Sequence, residues 1–133
     1  MELEIRTQRR EEMVDITAEV AAAVRGAGMS LGHVCVYCPH TTAGLTINEA
    51  ADPDVRADIL SGLGRLVPRT GGWRHAEGNA DAHIKASLMG SSVTVPIDGG
   101  KMALGTWQGV FLCEFDGPRR RTVLVSVTGP RDS

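Results

Sequence analysis

Residues 92–105, SVTVPIDGGKMALG, decide the fold class. Apolar residues alternate with polar residues or proline as far as Asp98, which is the period of a β-strand with one buried face. Asp98-Gly99-Gly100 then supplies the residues of a tight turn, and apolar residues resume after it. The stretch therefore predicts a β-hairpin, and with it antiparallel sheet, in the last third of the chain.

A second hairpin is expected immediately afterwards, around the DGPR turn at residues 116–119. TWQGVFLCEF, residues 106–115, precedes the turn, and RTVLVSVTG, residues 121–129, follows it. Both segments are rich in the β-branched and aromatic residues that favour strands. We therefore predict that they pair with each other.

Three further strands are expected upstream. LGHVCVYC, residues 31–38, is apolar at both odd and even positions, which predicts a strand buried on both faces. AGLTINE, residues 43–49, is a second extended segment, and LEIRTQR, residues 3–9, suits a first strand.

Helices are predicted between these strands. Asp15 can cap a helix whose apolar residues recur at fourfold spacing as far as Val24. Asp52 and Pro53 begin a second helix, because a capping side chain precedes a proline at the first helical position, and Pro68 ends it.

A third, short helix is expected over about residues 79–89, with Asn79 as its cap and with Ile84 and Leu88 on its apolar side. Helices in the first two thirds and hairpins at the end predict an α+β protein, with helices packed on one side of an antiparallel sheet. The length fits a single domain over residues 1–133.

Charge and composition argue against two classes of partner. Fourteen Lys and Arg against 16 Asp and Glu give a net charge of −2, which provides no field for binding nucleic acid. The start of the chain is charged throughout, and no segment has the apolar length of a membrane span. Three cysteines, an odd and sparse set, agree with a reducing compartment. We expect a cytoplasmic protein that binds neither nucleic acid nor membrane.

The stretch RHAEGNADAHIKAS, residues 74–87, collects many side chains that can bind ions or transfer protons. His75 and Glu77 fall in a loop, whereas Asn79 and His83 lie one helical turn apart and therefore share a face. Loop and helix can direct these groups into one space. We interpret the stretch as a functional site, against the alternative of a solvated helix start without a partner.

His40 follows a predicted buried strand, at a position where binding residues are common. Three neutral imidazoles, those of His40, His75 and His83, would suit zinc or another divalent ion with an open coordination position. The same three side chains, partly protonated, would instead hold a phosphate or carboxylate together with Lys85 or an arginine. The spacing of the residues leaves both alternatives open.

Other candidates also have structural explanations. Glu49 and Glu114 are possible bases or ligands, and each is equally well explained as an ordinary surface or strand carboxylate. Cys35 and Cys38 form a C-x-x-C spacing, but residues three apart on a strand point to opposite faces, which favours burial. Arginines at 119–121 form a basic turn that is either simply solvated or able to meet a pyrophosphate.

Four segments taken together resemble one protein family: PHTTAGLTINEAADPDVRADIL, RHAEGNADAHIKASLMGSSVTVPI, GGKMALGTWQGVFLCEFDGPRRR and VSVTG. From about residue 31 to 129 the chain is similar to the YjbQ family, whose members have been described as secondary thiamine-phosphate synthases. The resemblance implies an α+β fold assembled as a homotrimer. It also implies that His40, His75 and His83 lie close together, near a subunit boundary.

The activity implied by the resemblance joins an aminopyrimidine pyrophosphate to a thiazole phosphate and releases pyrophosphate. The expected catalytic residues are His83, Glu49, Glu114 and Lys85. The expected residues for binding a small phosphorylated substrate are Thr41, Thr42, Asn79, Gln108 and Arg119. The expected ligands of a divalent metal ion, zinc or magnesium or manganese, are His40, His75 and His83. A histidine that binds a metal is not a free acid, so the two roles of His83 compete.

Two other functions remain open from the residues alone. A metal-dependent hydrolase of a small phosphate or ester would use bound water as the nucleophile and Glu49 or Glu114 as the base. A non-catalytic trimeric module would bind a small ligand or metal without turnover.

Overall fold

The computed structural model of the chain describes residues 1–130, in which eight strands form two antiparallel sheets. In chain order the elements are β1 (Glu2–Arg6), β2 (Glu12–Asp15), α1 (Thr17–Ala27), β3 (Leu31–Tyr37), β4 (Ala43–Glu49), α2 (Pro53–Leu66), α3 (Ala80–Met89), β5 (Ser92–Asp98), β6 (Lys101–Met102), β7 (Gln108–Glu114) and β8 (Arg120–Thr128). The five-stranded sheet has the order β1-β8-β3-β5-β6, and the three-stranded sheet has the order β2-β7-β4. The predicted α+β class with antiparallel pairing is confirmed, although the strands divide between two sheets.

The hairpin predicted from residues 92–105 is present, with β5 and β6 paired across Gly99 and Gly100. Both glycines have positive φ, 58° and 76°, which the tight turn requires and which other residues rarely adopt.

The second predicted hairpin is wrong. β7 pairs with β2 and β4, whereas β8 pairs with β1 and β3 in the other sheet. Both strands are central in their sheets, so neither has a free edge for the other, and the DGPR turn crosses between the sheets.

The inner face of the three-stranded sheet packs against the five-stranded sheet. Leu45, Val110 and Leu112 meet Val34 and Val36 there, all with no exposed area. Helix α1 completes this core with Val20, Ala23 and Val24, and Ile16 joins them from the position just before the helix. Such a core is held by apolar burial, which stabilises by roughly 1.5–3 kcal/mol for each large side chain.

The outer face of the three-stranded sheet is covered by α2 and α3. Phe111, Cys113 and Phe115, all fully buried, contact Ala82 and Ala86 of α3. Partly buried apolar residues of α2 complete this second cluster: Ile59, Leu60 and Leu63. Among residues 1–130, no helix combines the length and apolar character that crossing a membrane requires.

Strand β3 is buried on only one face, whereas the sequence predicted burial on both. Val34 and Val36 point into the core, but His33 is exposed and Tyr37 keeps 44% of its area accessible. The reason is that α2 and α3 pack on the other sheet. The first strand also ends earlier than predicted, at Arg6, and the short strand β2 was not anticipated.

The first two helices begin close to their predicted caps. The Asp52 side chain accepts a hydrogen bond from the Asp54 N–H at 2.9 Å, as expected for a cap followed by proline. Asp15 accepts from the Thr17 N–H at 2.9 Å, but Ile16 occupies the capping position of α1, one residue later than predicted.

The bounds of α3 agree with the prediction, whereas its orientation does not. Leu88, placed on the apolar face by the sequence pattern, is 60% exposed, and the buried face instead carries Asp81 and Lys85. The Asn79 side chain makes no capping hydrogen bond in α3 and donates to Asp116 instead.

Candidate functional site

A cleft lies where the chain leaves β3, and His40 stands at its centre. The Thr122 N–H donates a hydrogen bond to His40 Nε2 at 2.9 Å, so this nitrogen carries a lone pair and the proton of the neutral ring sits on Nδ1. Burial, reinforced by the nearby positive charge of Arg121, lowers the pKa of His40 below its usual value. His40 is therefore held as a neutral hydrogen-bond donor.

One half of the cleft is polar and has a volume of about 350 Å³. Asn79 Nδ2 donates to Asp116 Oδ2 at 2.9 Å, and Arg119 donates to the same carboxylate oxygen at 2.9 Å. Burial alone would raise the pKa of Asp116, but these hydrogen bonds outweigh it and hold the pKa below the usual value. Asn79 Oδ1, on the wall of this half, is buried without a hydrogen-bond partner among residues 1–130.

The other half is larger, about 500 Å³, and its walls include Ala43, Ala86 and Gly90. Strand β4 approaches the end of α3 so closely that a Cβ on Gly44 would lie 2.7 Å from the Gly90 carbonyl oxygen. The two halves share three residues: His40, Thr41 and His83. The wall of the larger half is mostly apolar in spite of Ser87 and Ser91, and the three shared residues form the border between this apolar half and the polar half.

His75 lies beside His83. The two ring centroids are 5.3 Å apart with the rings nearly perpendicular, and His75 Nε2 lies 3.7 Å from Glu77 Oε2. His75 borders a neighbouring depression with Trp73 rather than the cleft itself. The structure thus brings His40 and His83 to one cleft and leaves His75 at its side.

The three histidines do not fit the predicted metal centre in this arrangement. Within residues 1–130, no group of three or more His, Cys, Asp or Glu side chains is placed to hold a metal ion. His40 has its Nε2 lone pair occupied by the Thr122 N–H, and its other ring nitrogen bears the proton. A metal ligand needs a free lone pair on a neutral imidazole, which His40 does not present.

Glu114, which the sequence offers as a base, lies behind the cleft in a buried ion pair. Its carboxylate has no exposed area and is paired with the Arg121 guanidinium through both oxygens. Thr7 Oγ1 donates to it as well, at 2.7 Å. Burial would raise the pKa of Glu114, but the Arg121 and Thr7 hydrogen bonds lower it below the usual value. A carboxylate that holds its charge this firmly is a poor proton acceptor.

Lys85 is also committed elsewhere. Its ammonium group is buried, donates to Glu11 at 2.7 Å and to Asp81 at 3.1 Å, and does not border the cleft. Arg10 donates to the other oxygen of Asp81 at 3.2 Å. Lys85 therefore belongs to a buried ion-pair cluster and is not free to bind a phosphate.

Glu49 and Gln108 pair with each other at the far end of the three-stranded sheet, whereas Ala43 borders the cleft. Ala43 and Glu49 are six positions apart on the strand, a distance of roughly 20 Å at about 3.3 Å per residue. Glu49 accepts from the Ala51 N–H, and Gln108 accepts from the Gly105 N–H. Both residues stabilise local turns and lie outside the site.

The polar half is bordered by four of the residues expected to bind substrate: Thr41, Thr42, Asn79 and Arg119. Asp116 borders it too and was not anticipated, because the DGPR turn was interpreted as the tip of a hairpin. The sequence placed Arg121 in a basic turn that is either solvated or able to meet a pyrophosphate, whereas in the structure it is 4% exposed and donates to Thr42 at 2.9 Å. The alternation of polar and apolar residues along β8 could have indicated that Arg121 points inward.

The fold and the cleft define an α+β protein with two packed antiparallel sheets and a histidine-bordered pocket between the end of β3 and α3. The family model described as "UPF0047 protein YjbQ-like" matches residues 1–130. The chain belongs to this family.

Relatives agree over nearly the whole chain. A UPF0047 protein of Methanocaldococcus jannaschii is 51% identical, over 96% of this chain and 93% of its own length. UPF0047 protein YugU of Bacillus subtilis is 48% identical, over 96% of this chain and 97% of its own. A crystal structure of a YjbQ/UPF0047 family protein from Clostridium acetobutylicum superposes with a TM-score of 0.95 at 52% identity, covering 96% and 99% of the two chains.

Proposed function

We propose that the protein is a thiamine-phosphate-synthase-like transferase acting at the His40–His83 cleft. One observation carries the proposal: a polar half and an apolar half meet at His40, Thr41 and His83. A small ring compound that ends in a phosphate or pyrophosphate matches this division, because its anionic end and its ring need different surroundings. His40, Thr41 and His83 would then lie next to the bond that joins the ring part of the substrate to its anionic end.

In the proposed reaction the thiazole nitrogen attacks the methylene carbon of the aminopyrimidine pyrophosphate. A carbon–nitrogen bond forms, the carbon–oxygen bond to pyrophosphate breaks, and the electron pair leaves with pyrophosphate. The attacking nitrogen has no proton to lose, so the site needs donors for the departing anion rather than a base. His40 Nδ1–H and the Arg119 guanidinium border the polar half and supply such donors.

His83 takes the role of proton donor in this proposal. The structure gives the ring no hydrogen-bond partner among residues 1–130 and places it edge to face with His75, half-buried at the border. A protonated His83 would neutralise the leaving pyrophosphate as it departs. The unpaired Asn79 Oδ1 would accept a hydrogen bond from an N–H of the substrate.

The experiment compares thiamine phosphate formation by the wild type and by His83→Asn at equal folded concentration. We expect turnover to fall roughly a hundredfold or more, the typical contribution of a general acid. His33→Asn is the matched control, because His33 is an exposed histidine on the outer side of β3, away from the cleft. Equal turnover in the wild type and His83→Asn would refute the proposed role of the cleft.

The divalent-metal hypothesis is tested in the same samples. Metal analysis of gently purified protein, with and without His75→Asn, would show a stoichiometric ion bound through the histidines if they rearrange into a centre. The hydrolase alternative is weakened because Glu49 lies at the wrong end of the sheet and Glu114 is buried in an ion pair. Release of inorganic phosphate without coupling of the two substrates would revive it.

A non-catalytic binding module remains the second candidate, and a preformed cleft with the unpaired Asn79 Oδ1 buried in its wall favours it. It predicts that thiazole phosphate raises the melting temperature by mass action while turnover is absent. A homotrimer, implied by the family resemblance, agrees with the exposure of Leu31 and Tyr37 on the five-stranded sheet, 56% and 44%. Sedimentation equilibrium tests it.

A cytoplasmic location accords with Cys35, Cys38 and Cys113, which are all free thiols.

A further inference from the structure

A second pocket lies at the opposite end of β3 from the cleft. It opens between α1 and the β5–β6 hairpin and has a volume of about 320 Å³. The hairpin pairs with β3 at Leu31, whereas His40 follows Tyr37 at the other end of that strand. Leu31 and Tyr37 are six positions apart on this strand, which is roughly 20 Å of extended chain. The two sites are therefore separate.

The walls of this pocket are aliphatic. Ala21 and Val24 of α1 form one side, and Met102 and Leu104 form the other. Val24 is only 1% exposed and belongs to the main core, so the floor of the pocket is rigid. Its volume is at the small end of the range for ligand pockets, which limits the occupant to a short chain.

Two cations border the pocket, Arg25 at the end of α1 and Lys101 at the start of β6. Both are exposed, and neither forms an ion pair with a carboxylate in residues 1–130. Asp98 is the strand partner of Lys101 and stays beyond ion-pair distance from it. An apolar floor with two unpaired cations at its rim is complementary to an amphipathic anion.

We propose that this pocket binds a short aliphatic carboxylate. The alkyl chain lies between α1 and the hairpin, against Ala21 and Met102. The carboxylate lies at the rim, where the planar guanidinium of Arg25 offers two parallel N–H donors and Lys101 offers a point charge. Apolar contact and charge pairing are both needed, so inorganic phosphate, which has no chain, does not bind here.

The test is a titration of the full chain with sodium hexanoate, followed by ¹H–¹⁵N correlation spectra. We expect saturable shift changes centred on the amides of Ala21, Val24 and Met102, with the amides around His40 unchanged. Hexylammonium chloride and 1-hexanol are the matched probes of opposite and zero charge, and both should bind at least tenfold more weakly. An equal response to all three, a response centred on His40, or no saturable response to hexanoate would each overturn the proposal.

Two variants separate charge from shape. Arg25→Gln combined with Lys101→Gln should weaken hexanoate binding roughly tenfold or more, because charge-assisted hydrogen bonds are lost. Ala21→Leu, on a helix that accepts leucine well, should weaken it similarly by filling the floor. Arg65→Gln, which removes an exposed arginine from α2, is the control and should leave binding unchanged. Unchanged affinity in both test variants would refute the assignment.

Discussion

On one face of α3, Asp81 and Lys85 lie one turn apart and are buried; on a neighbouring face, His83 and Ser87 lie one turn apart and border the cleft. Asp81 and Lys85 pair with each other, and partners from another part of the chain, Arg10 and Glu11, complete the cluster. The His83 ring lies nearly perpendicular to the His75 ring and forms no hydrogen bond within residues 1–130. Both faces carry polar side chains, but those of the first face are paired inside the protein and those of the second border the cleft.

The difference shows how burial assigns a role to a polar side chain. A buried charge must be paired, because leaving it alone in a low-dielectric interior is strongly unfavourable. Once paired, its proton and its hydrogen bonds are committed to the structure. A half-buried imidazole without partners keeps its lone pair or proton available for a ligand. The predictions below test this contrast between the committed face and the available face.

The largest effect is expected from Asp81→Ala on the committed face. The substitution leaves Lys85 and Arg10 short of a partner, and breaking a buried pair in this way destabilises by roughly 3–5 kcal/mol. Urea unfolding of Asp81→Ala against Asp58→Ala, which removes an exposed carboxylate from α2, measures the difference. A change below about 0.5 kcal/mol would mean that the cluster contributes no net stability.

Acid should protonate Asp81 and two other paired carboxylates, and it should lower the free energy of unfolding by less than Asp81→Ala does. The pKa values of Asp81, Glu114 and Asp116 are held below their usual values of about 4 in the folded state. Their contribution to the free energy of unfolding is therefore complete above about pH 4 to 5 and is lost as the pH falls through the folded-state values. Protonation keeps the oxygens in place as hydrogen-bond partners, so the loss is partial.

Urea unfolding between pH 7 and pH 2.5 checks this dependence. The curve of Glu114→Gln should be flatter than that of the wild type, because one of the titrating groups is gone. A wild-type free energy of unfolding that rises as the pH falls would contradict the assigned direction of all three pKa values.

On the available face, His83→Asn should change stability little, by about 1 kcal/mol or less, while it abolishes most of any turnover at the cleft. The reason is that the ring is half-buried and has no hydrogen bond from the protein among residues 1–130. Thermal unfolding of the variant, measured in the samples used for the activity assay, supplies the comparison. A loss comparable to that of Asp81→Ala would place His83 among the structural residues.

The smallest effect is expected from Leu88→Gln, which tests the orientation of α3 directly. Because the Leu88 side chain is 60% exposed, its replacement should alter the free energy of unfolding by no more than about 0.5 kcal/mol. If the apolar pattern of the sequence had described the packing, the same change would bury a polar amide and lose apolar contact. A loss above about 2 kcal/mol would show that Leu88 is packed in solution.

Much of the local structure was predictable from short-range chemistry. The Asp52-Pro53 start of α2 and the turn at Gly99-Gly100 depend on neighbouring residues only, and both are as predicted. His40 and His83 were expected in one site, and they border one cleft. The orientation of α3 was not predictable, because its buried charges need partners from far along the chain: Glu11 lies 74 residues from Lys85, and Arg10 lies 71 residues from Asp81.

The sequence alone determined most of the secondary elements, though not the short strand β2, and also the α+β class, the family and the region that holds the cleft. These follow from periodicity, capping residues and turn residues, which act within a few positions of one another. Only the tertiary structure decided that β7 and β8 enter different sheets, that Glu114 and Lys85 are held in ion pairs, and that His40 keeps its proton on Nδ1. Each of these depends on a partner distant in sequence or on the packing of whole sheets, and spacing along the chain does not encode either one.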